Sequence, residues 1–348
     1  MATLDPLPHH QFLVSPHFPP ELVLKTIHHL PFGDGKIIAT LRCTHPRLRD
    51  ILDNYESSVT RHFVRKELRH APTDFPHDEG LDIKWLAQCV KRYDIVDDVM
   101  DALSSDKNCF AVERHNLSLV HAGLLLLYRL TSFGESFPLP RSQLIDKVNT
   151  TTDDHNSKLQ YIKSLERDPL TAMYLALHHA TLSARYHGSG WIHQRTYGRF
   201  MDANQISLRN ELEFCFAEAA LSIGPEFISD MLLHHSTSDV ETSLLNCYHD
   251  RGMHDWDWPC WGTGLGEFEP PRTQGPHNEQ GANGRSLFTT LLERLAELME
   301  WPLEEVRSRI EQYTDAKSHS LAYLDLGGKA RLLQGLDLEH IDSGGESY

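Results

Sequence analysis

The sequence has almost no strictly alternating apolar and polar stretches, so half-buried strands, which need a period of two, find no support in it. It also lacks a membrane span. Its most apolar run, Leu117 to Leu130, contains His121 and Arg129 and falls short of the ~20 residues that cross a bilayer. Positive charge is scarce: 33 Lys and Arg stand against 49 Asp and Glu, a formal net charge of −16. A nucleic-acid binder draws its affinity from neutralising phosphates, and an anionic membrane surface attracts basic segments, so both partners are excluded as expectations. The six cysteines, at 43, 89, 109, 215, 247 and 260, form no CxxC pair and read as reduced thiols of an intracellular protein. The opening "MATLDPLPHHQFLVSPHF" has no basic region before an apolar one, so it does not read as a secretory signal. Internal repeats of the kind that build propellers or solenoids are missing too. The expectation is a soluble protein of the cytoplasm or nucleus that needs no cofactor.

Catalytic signatures are equally thin. "GTGLG" (262–266) is followed by no Lys-Ser or Lys-Thr and preceded by no strand, both of which a phosphate cradle requires. "HGSGW" (187–191) lacks the glycine two residues before the serine that a nucleophile elbow needs. The paired histidines 28–29, 178–179 and 234–235 point about 100° apart on a helix and are poorly placed to ligate one ion. Asp97-Asp98 and Glu304-Glu305 have basic residues nearby and read as solvated faces.

What is present is helical periodicity. In "IKWLAQCVKRYDIVDDVMDAL", Ile83, Leu86, Val90, Tyr93, Val96, Met100 and Leu103 recur at steps of three and four. "RSLFTTLLERLAELME" repeats the pattern with Leu287, Phe288, Leu291, Leu292, Leu295, Leu298 and Met299. "LSLVHAGLLLLYRL" is apolar on nearly every side, the mark of a helix at the centre of a bundle. Asp168-Pro169, Gly224-Pro225 and Trp301-Pro302 place proline where a first helical turn tolerates it. The fold class is all-α.

The punctuation predicts five segments. Residues 1–16 form a flexible Pro/His-rich tail, 17–68 a small N-terminal module, 69–80 a linker, 81–335 a larger helical domain and 336–348 a flexible tail. Within the larger domain, Gly/Pro-rich 261–285 reads as a mobile loop.

In the N-terminal module, Leu22, Val23, Thr26, Ile27 and Leu30 are expected to share one helical face, with Lys25, His28 and His29 turned away. Further short helices follow in "KIIATLRC", "RLRDIL" and "SSVTRHFVRKEL". Helices this short enclose little core by themselves, so part of the apolar stripe is expected to serve a partner. The stretch "FPPELVLKTIHHLPFGDGKIIATLRCTHPRLRDIL" resembles an F-box, with matches at Pro19, Glu21, Leu22, Ile27, Leu30, Pro31, Asp34, Ile37, Leu41, Thr44, Arg47, Leu48, Arg49 and Leu52. It departs from the usual pattern at Phe18 (commonly Leu), Gly35 (commonly apolar), Pro46, and Leu48 (often Trp), and in a longer spacing from Asp34 to Leu48. The continuation to Leu68 further resembles F-box proteins of filamentous fungi.

The resemblance implies docking on the Skp-type adaptor of a cullin–RING ubiquitin ligase. It assigns adaptor binding to Pro19, Leu22, Ile27, Leu30, Pro31, Ile37, Leu41, Leu48 and Leu52. The helical body would then capture an unknown protein substrate, and the chain itself would not be an enzyme. Two other readings stay open: a ligand-binding or enzymatic helical domain with an F-box-like cap, or a helical scaffold outside any ligase.

The stretch "NCYHDRGMHDWDWPCW" (246–261) allows three readings. Cys247, His249, His254 and Cys260 could supply four zinc ligands, although no cysteine pair at two to four residues pre-forms such a site. Trp256, Trp258 and Trp261, with Asp255 and Asp257, could form an aromatic, acidic patch for a basic substrate peptide. The same tryptophans could instead fill the end of the bundle. Because the spacing is irregular, the purified chain is expected to carry no stoichiometric zinc; elemental analysis returning one zinc per chain would establish the ligand reading.

Overall fold

The computed structural model describes residues 15, 18–77, 81–132, 150–188, 192–193, 206–233, 285–316 and 324–338; among these every regular element is helical and no strand occurs. The all-α expectation therefore holds. The chain divides into two compact units, Met1–Ile95 and Val96–Tyr348.

The first unit opens with α1 (Pro20–His28), α2 (Lys36–Thr44), α3 (Pro46–Asn54), α4 (Glu56–Lys66) and the short α5 (Ala71–Asp74). Local chemistry explains their ends. Proline occupies the first turn of α1, Glu21 complements its positive end, and Lys25 and His28 lie in its last turn. Gly35 caps the start of α2 at φ 79°, a left-handed conformation that favours glycine; a Cβ there would lie 3.4 Å from Phe32 and Ala87, in ordinary contact, so the constraint is the backbone angle. Before α3, the His45 Nδ1 accepts the Arg47 backbone N–H at 3.1 Å, satisfying a donor that the first helical turn would orphan. Val23, Leu24, Ile27, Phe32, Ile38, Leu48, Ile51, Leu52, Val59 and Phe63 form the core of these helices. Beyond α5, the Trp85 indole N–H donates to the Phe75 carbonyl and the Tyr93 hydroxyl donates to buried Asp74.

Helix α6 (Ile83–Ser104) carries the division between the units. The second unit continues with α7 (Leu117–Ser132), α8 (Thr150–Ser164), α9 (Arg167–His187), α10 (Ile206–Ile223) and α11 (Pro225–Leu233). It ends, among the described residues, with α12 (Leu287–Met299), a 3₁₀ turn (Leu303–Glu305), α13 (Val306–Ala316) and α14 (Leu326–Leu333). Helix α7 is buried from Ala122 through Tyr128, as expected for a sequence apolar on every side. Its main neighbour is α9, and the two backbones meet at Gly123. A Cβ built there would lie 2.1 Å from the Ala172 carbonyl oxygen and 2.9 Å from the Ala176 Cβ.

Two buried carboxylates fasten distant segments of this unit together. Glu218 of α10, 1 % exposed, accepts the Ser286 hydroxyl at 2.8 Å and the backbone N–H groups of Leu287 and Phe288 at 3.1 and 2.9 Å. It thereby occupies the positive start of α12. Asp168, in the first turn of α9, accepts from the Leu338 N–H at 3.0 Å and the Tyr313 hydroxyl at 3.3 Å, and pairs with Arg167. Its own N–H donates to Asp337 at 2.7 Å. Burial raises the Tyr313 hydroxyl well above its ordinary value, with Asp168 adding to the effect.

Because the Gly123 contact is backbone against backbone, Gly123→Ala should force α7 and α9 apart at a cost of about 3 kcal/mol or more. Denaturant melts of wild type and variant check this. An unchanged midpoint would mean that the helices do not approach as described.

Candidate functional site

The residues assigned to adaptor binding separate into two groups. Ile27, Leu48 and Leu52 are 3 %, 7 % and 0 % exposed and lie in the core of the first unit. There they support the helices and do not offer a surface. Pro19, Leu22, Pro31 and Ile37 are exposed, and Leu30 and Leu41 are half-buried. Leu22 and Ile37 are 45 % and 39 % exposed, although both are large and apolar.

The inward face of α1 also differs from the expected stripe. Val23, Leu24 and Ile27 face inward, while Leu22 and Thr26 face solvent. The reason is tertiary: α3 and α4 both pack on α1, and this sets its rotation. Leu24 and Phe32 were not singled out beforehand, yet both are buried. The Phe32 ring sits 5.1 Å from that of Phe63, centroid to centroid.

A polar seam joins α1 to α4. The Lys66 ammonium donates to the Leu30 and His28 carbonyls at 3.0 and 3.3 Å, satisfying acceptors at the C-terminal end of α1. The neighbouring Glu67 carboxylate accepts the Phe32 N–H at 3.1 Å. On the same seam the rings of His28 and His62 stack 3.9 Å apart and nearly parallel, with the Phe63 ring edge-on to both. The Nε2 atoms of both histidines are buried and have no hydrogen-bond partner. Burial lowers the His28 value below 6.5, and His62, His29 and Lys66 push it further down because each is a neighbouring positive charge or a potential one. No sequence pattern announced this pair, since 34 positions separate its members (62 − 28).

A cavity of about 20 Å³ lies between Tyr174, His178, Thr181, Glu213, Phe288 and Arg307, enough for about one water. The Glu213 carboxylate at its edge pairs with Arg185 at 3.0 Å and Arg307 at 3.8 Å. Among the described residues, no group of three or more His, Cys, Asp or Glu is arranged to hold a metal ion, and no helix is long and apolar enough to cross a membrane. The zinc candidates Cys247, His249, His254 and Cys260, and the patch candidates Trp256, Trp258 and Trp261, lie outside the described residues, as does nearly all of the 261–285 loop. No protein-family model, curated protein or solved structure matches the chain.

Burial of His28 is expected to make the first unit acid-sensitive. With the folded value of His28 depressed, the unfolded chain binds the proton first as pH falls. The contribution is intact above 6.5 and is lost as pH drops from there towards the folded value. Thermal melts at neutral and mildly acidic pH should show a smaller acid-induced loss in a His28→Gln, His62→Gln double variant than in wild type. An equal loss would show that other groups set the acid response.

Proposed function

We propose that this chain is a non-catalytic substrate receptor of a cullin–RING ubiquitin ligase, acting in the cytoplasm or nucleus. In this reading the F-box-like module, residues 17–68, docks on a Skp-type adaptor, and the helical body, 81–335, captures a protein substrate. The module delivers and the body selects, so the chain needs no reacting groups of its own.

The observation that carries the proposal is the exposure of Leu22 and Ile37, at 45 % and 39 %, in a module whose core is already filled by other side chains. Both residues fall on F-box motif positions, and so do the half-buried Leu30 and Leu41 and the exposed Pro19 and Pro31. Large apolar side chains left in water gain roughly 1.5–3 kcal/mol each when a partner buries them fully. A docking role accounts for residues that the fold itself does not use.

Purified Skp-type adaptor should bind the wild-type chain in a pull-down. A Leu22→Asp, Ile37→Asp double variant should bind at least about a hundredfold more weakly, because two carboxylates would have to be desolvated where two apolar side chains were buried. Its melting temperature should stay close to wild type, since both positions are exposed. Failure of the wild-type chain to bind would overturn the receptor reading and leave the module as a cap on a helical domain.

A further inference from the structure

Arg61, Arg65 and Arg69 follow one another at steps of four along α4 and past its C-terminal end, and each is exposed. Helical bonding runs on beyond Lys66, because the Glu67 and Leu68 N–H groups donate to the Phe63 and Val64 carbonyls at 2.8 and 3.1 Å. The arginines therefore share one face and cover about 12 Å of helix axis. Ser57 and Ser58, also exposed, precede them on that face.

No carboxylate of the described residues pairs with these arginines, because the acids beside them are engaged elsewhere. Glu56 pairs with Arg42 at 3.1 Å and accepts the Ile83 N–H at 3.3 Å. Asp53 pairs with the same Arg42 at 3.0 Å. Glu67 accepts the Phe32 N–H and pairs with Lys66, which itself reaches the Leu30 and His28 carbonyls. Like charges one turn apart destabilise a helix, so the repeat works against the fold in a chain that has acids to spare.

Two of the guanidinium groups are held in position by the backbone. The Arg61 Nε donates to the Ser57 carbonyl at 3.2 Å, and the Arg69 Nε to the Arg65 carbonyl at 2.9 Å. Each bond uses one nitrogen and leaves the two terminal nitrogens for another acceptor. A planar fork fixed in this way receives a carboxylate through two N–H groups and loses little side-chain freedom in doing so.

From this arrangement we propose that the Arg61–Arg65–Arg69 face is a docking surface for an acidic protein segment, extended and carrying Asp or Glu at alternate positions. Alternate side chains of an extended segment lie about 6–7 Å apart on one side, close to the one-turn repeat of the arginines. Charge complementarity selects an acidic partner, and the shortness of the stripe selects a peptide over a nucleic acid. A polyphosphate would run on past the stripe over a chain whose net charge is −16, whereas a short acidic segment ends with it. The inference does not rest on the receptor reading, which uses Leu22 and Ile37.

The test uses the full chain and a fluorescent peptide of alternating Glu and Ser, with a peptide of alternating Gln and Ser as control. At low salt the acidic peptide should bind more tightly than the neutral one, and rising salt should remove the difference. Arg65→Glu, which reverses the central charge, should weaken the acidic peptide at least about tenfold. Its melting temperature should equal or exceed that of wild type, because the new carboxylate stands one turn from both Arg61 and Arg69. Arg65→Gln should show a smaller loss in the same direction. The proposal is overturned if the wild-type chain shows no salt-sensitive preference for the acidic peptide, a comparison that needs no variant to fold. It is equally overturned if a folded Arg65→Glu chain binds that peptide as wild type does. A single-stranded oligonucleotide of equal charge that binds more tightly would assign the face to nucleic acid and overturn it too. So would sedimentation showing wild-type dimers that Arg65→Glu dissociates, since the occupant would then be a second copy of the chain.

Discussion

The close approach of α7 and α9 at Gly123 is the constraint on which the second unit depends. An added methyl at this position would meet the Ala172 carbonyl at 2.1 Å, so the two helix axes can come this near only where one of them carries no side chain. The small residues Ala172 and Ala176 complete the contact from α9. With the axes this close, the large side chains on either side, Leu119 to Leu127 on α7 and Met173 to Leu177 on α9, are held against further helices and excluded from water. Helices α10, α11, α12 and α14 all pack against this pair. The connection between α6 and α7 also rests on the last turn of α9, through Asn108 on Ser183 and Phe110 on Tyr186.

Buried charge in the second unit is used as fastening. Glu218 and Asp168 are each almost fully enclosed, and each accepts backbone N–H groups from a distant segment: Leu287 and Phe288 in one case, Leu338 in the other. A carboxylate is costly to bury unless charge-assisted hydrogen bonds offset the lost hydration, so these segments are held to specific positions and not merely to an apolar surface. The Glu166–Gly335 backbone contact and the Arg167–Asp337 ion pair reinforce the second tie. Burial raises the Asp337 carboxyl, with Asp168 and Glu166 adding like charge.

The first unit follows a different economy. Its helices are short, and its core relies on a few aromatic and branched residues together with the Lys66 and Glu67 contacts that close the end of α1. Leu22 and Ile37 are left in water by this arrangement. In the receptor proposal these residues are what the adaptor covers, while Ile27, Leu48 and Leu52 act indirectly by keeping α1, α2 and α3 in place. Fold and docking would then use alternate residues of the same short helices, with neighbouring positions on α1 turned to opposite duties.

The helices themselves were legible in the sequence because their causes are local. The three-and-four spacing of apolar residues around Ile83 and Leu287, the prolines at 169 and 225, and the all-round apolar character of Leu117–Leu130 are each read within a few turns of chain. Which face of α1 turns inward was not local. A helical wheel grouped Leu22 with Ile27, whereas contact with α3 and α4 selected Val23, Leu24 and Ile27 and left Leu22 outside. The Gly123 crossing, the His28–His62 stack, the Glu218 cap and the Cys109–His187 pair join residues 34 to 78 positions apart. Such contacts depend on how helices cross, and a crossing is decided by the shapes of two surfaces together, which neither segment encodes alone. The sequence by itself therefore determined where helices form and the sign of the charge. The tertiary structure decided which of their residues are enclosed, which are left to solvent, and which titratable groups meet.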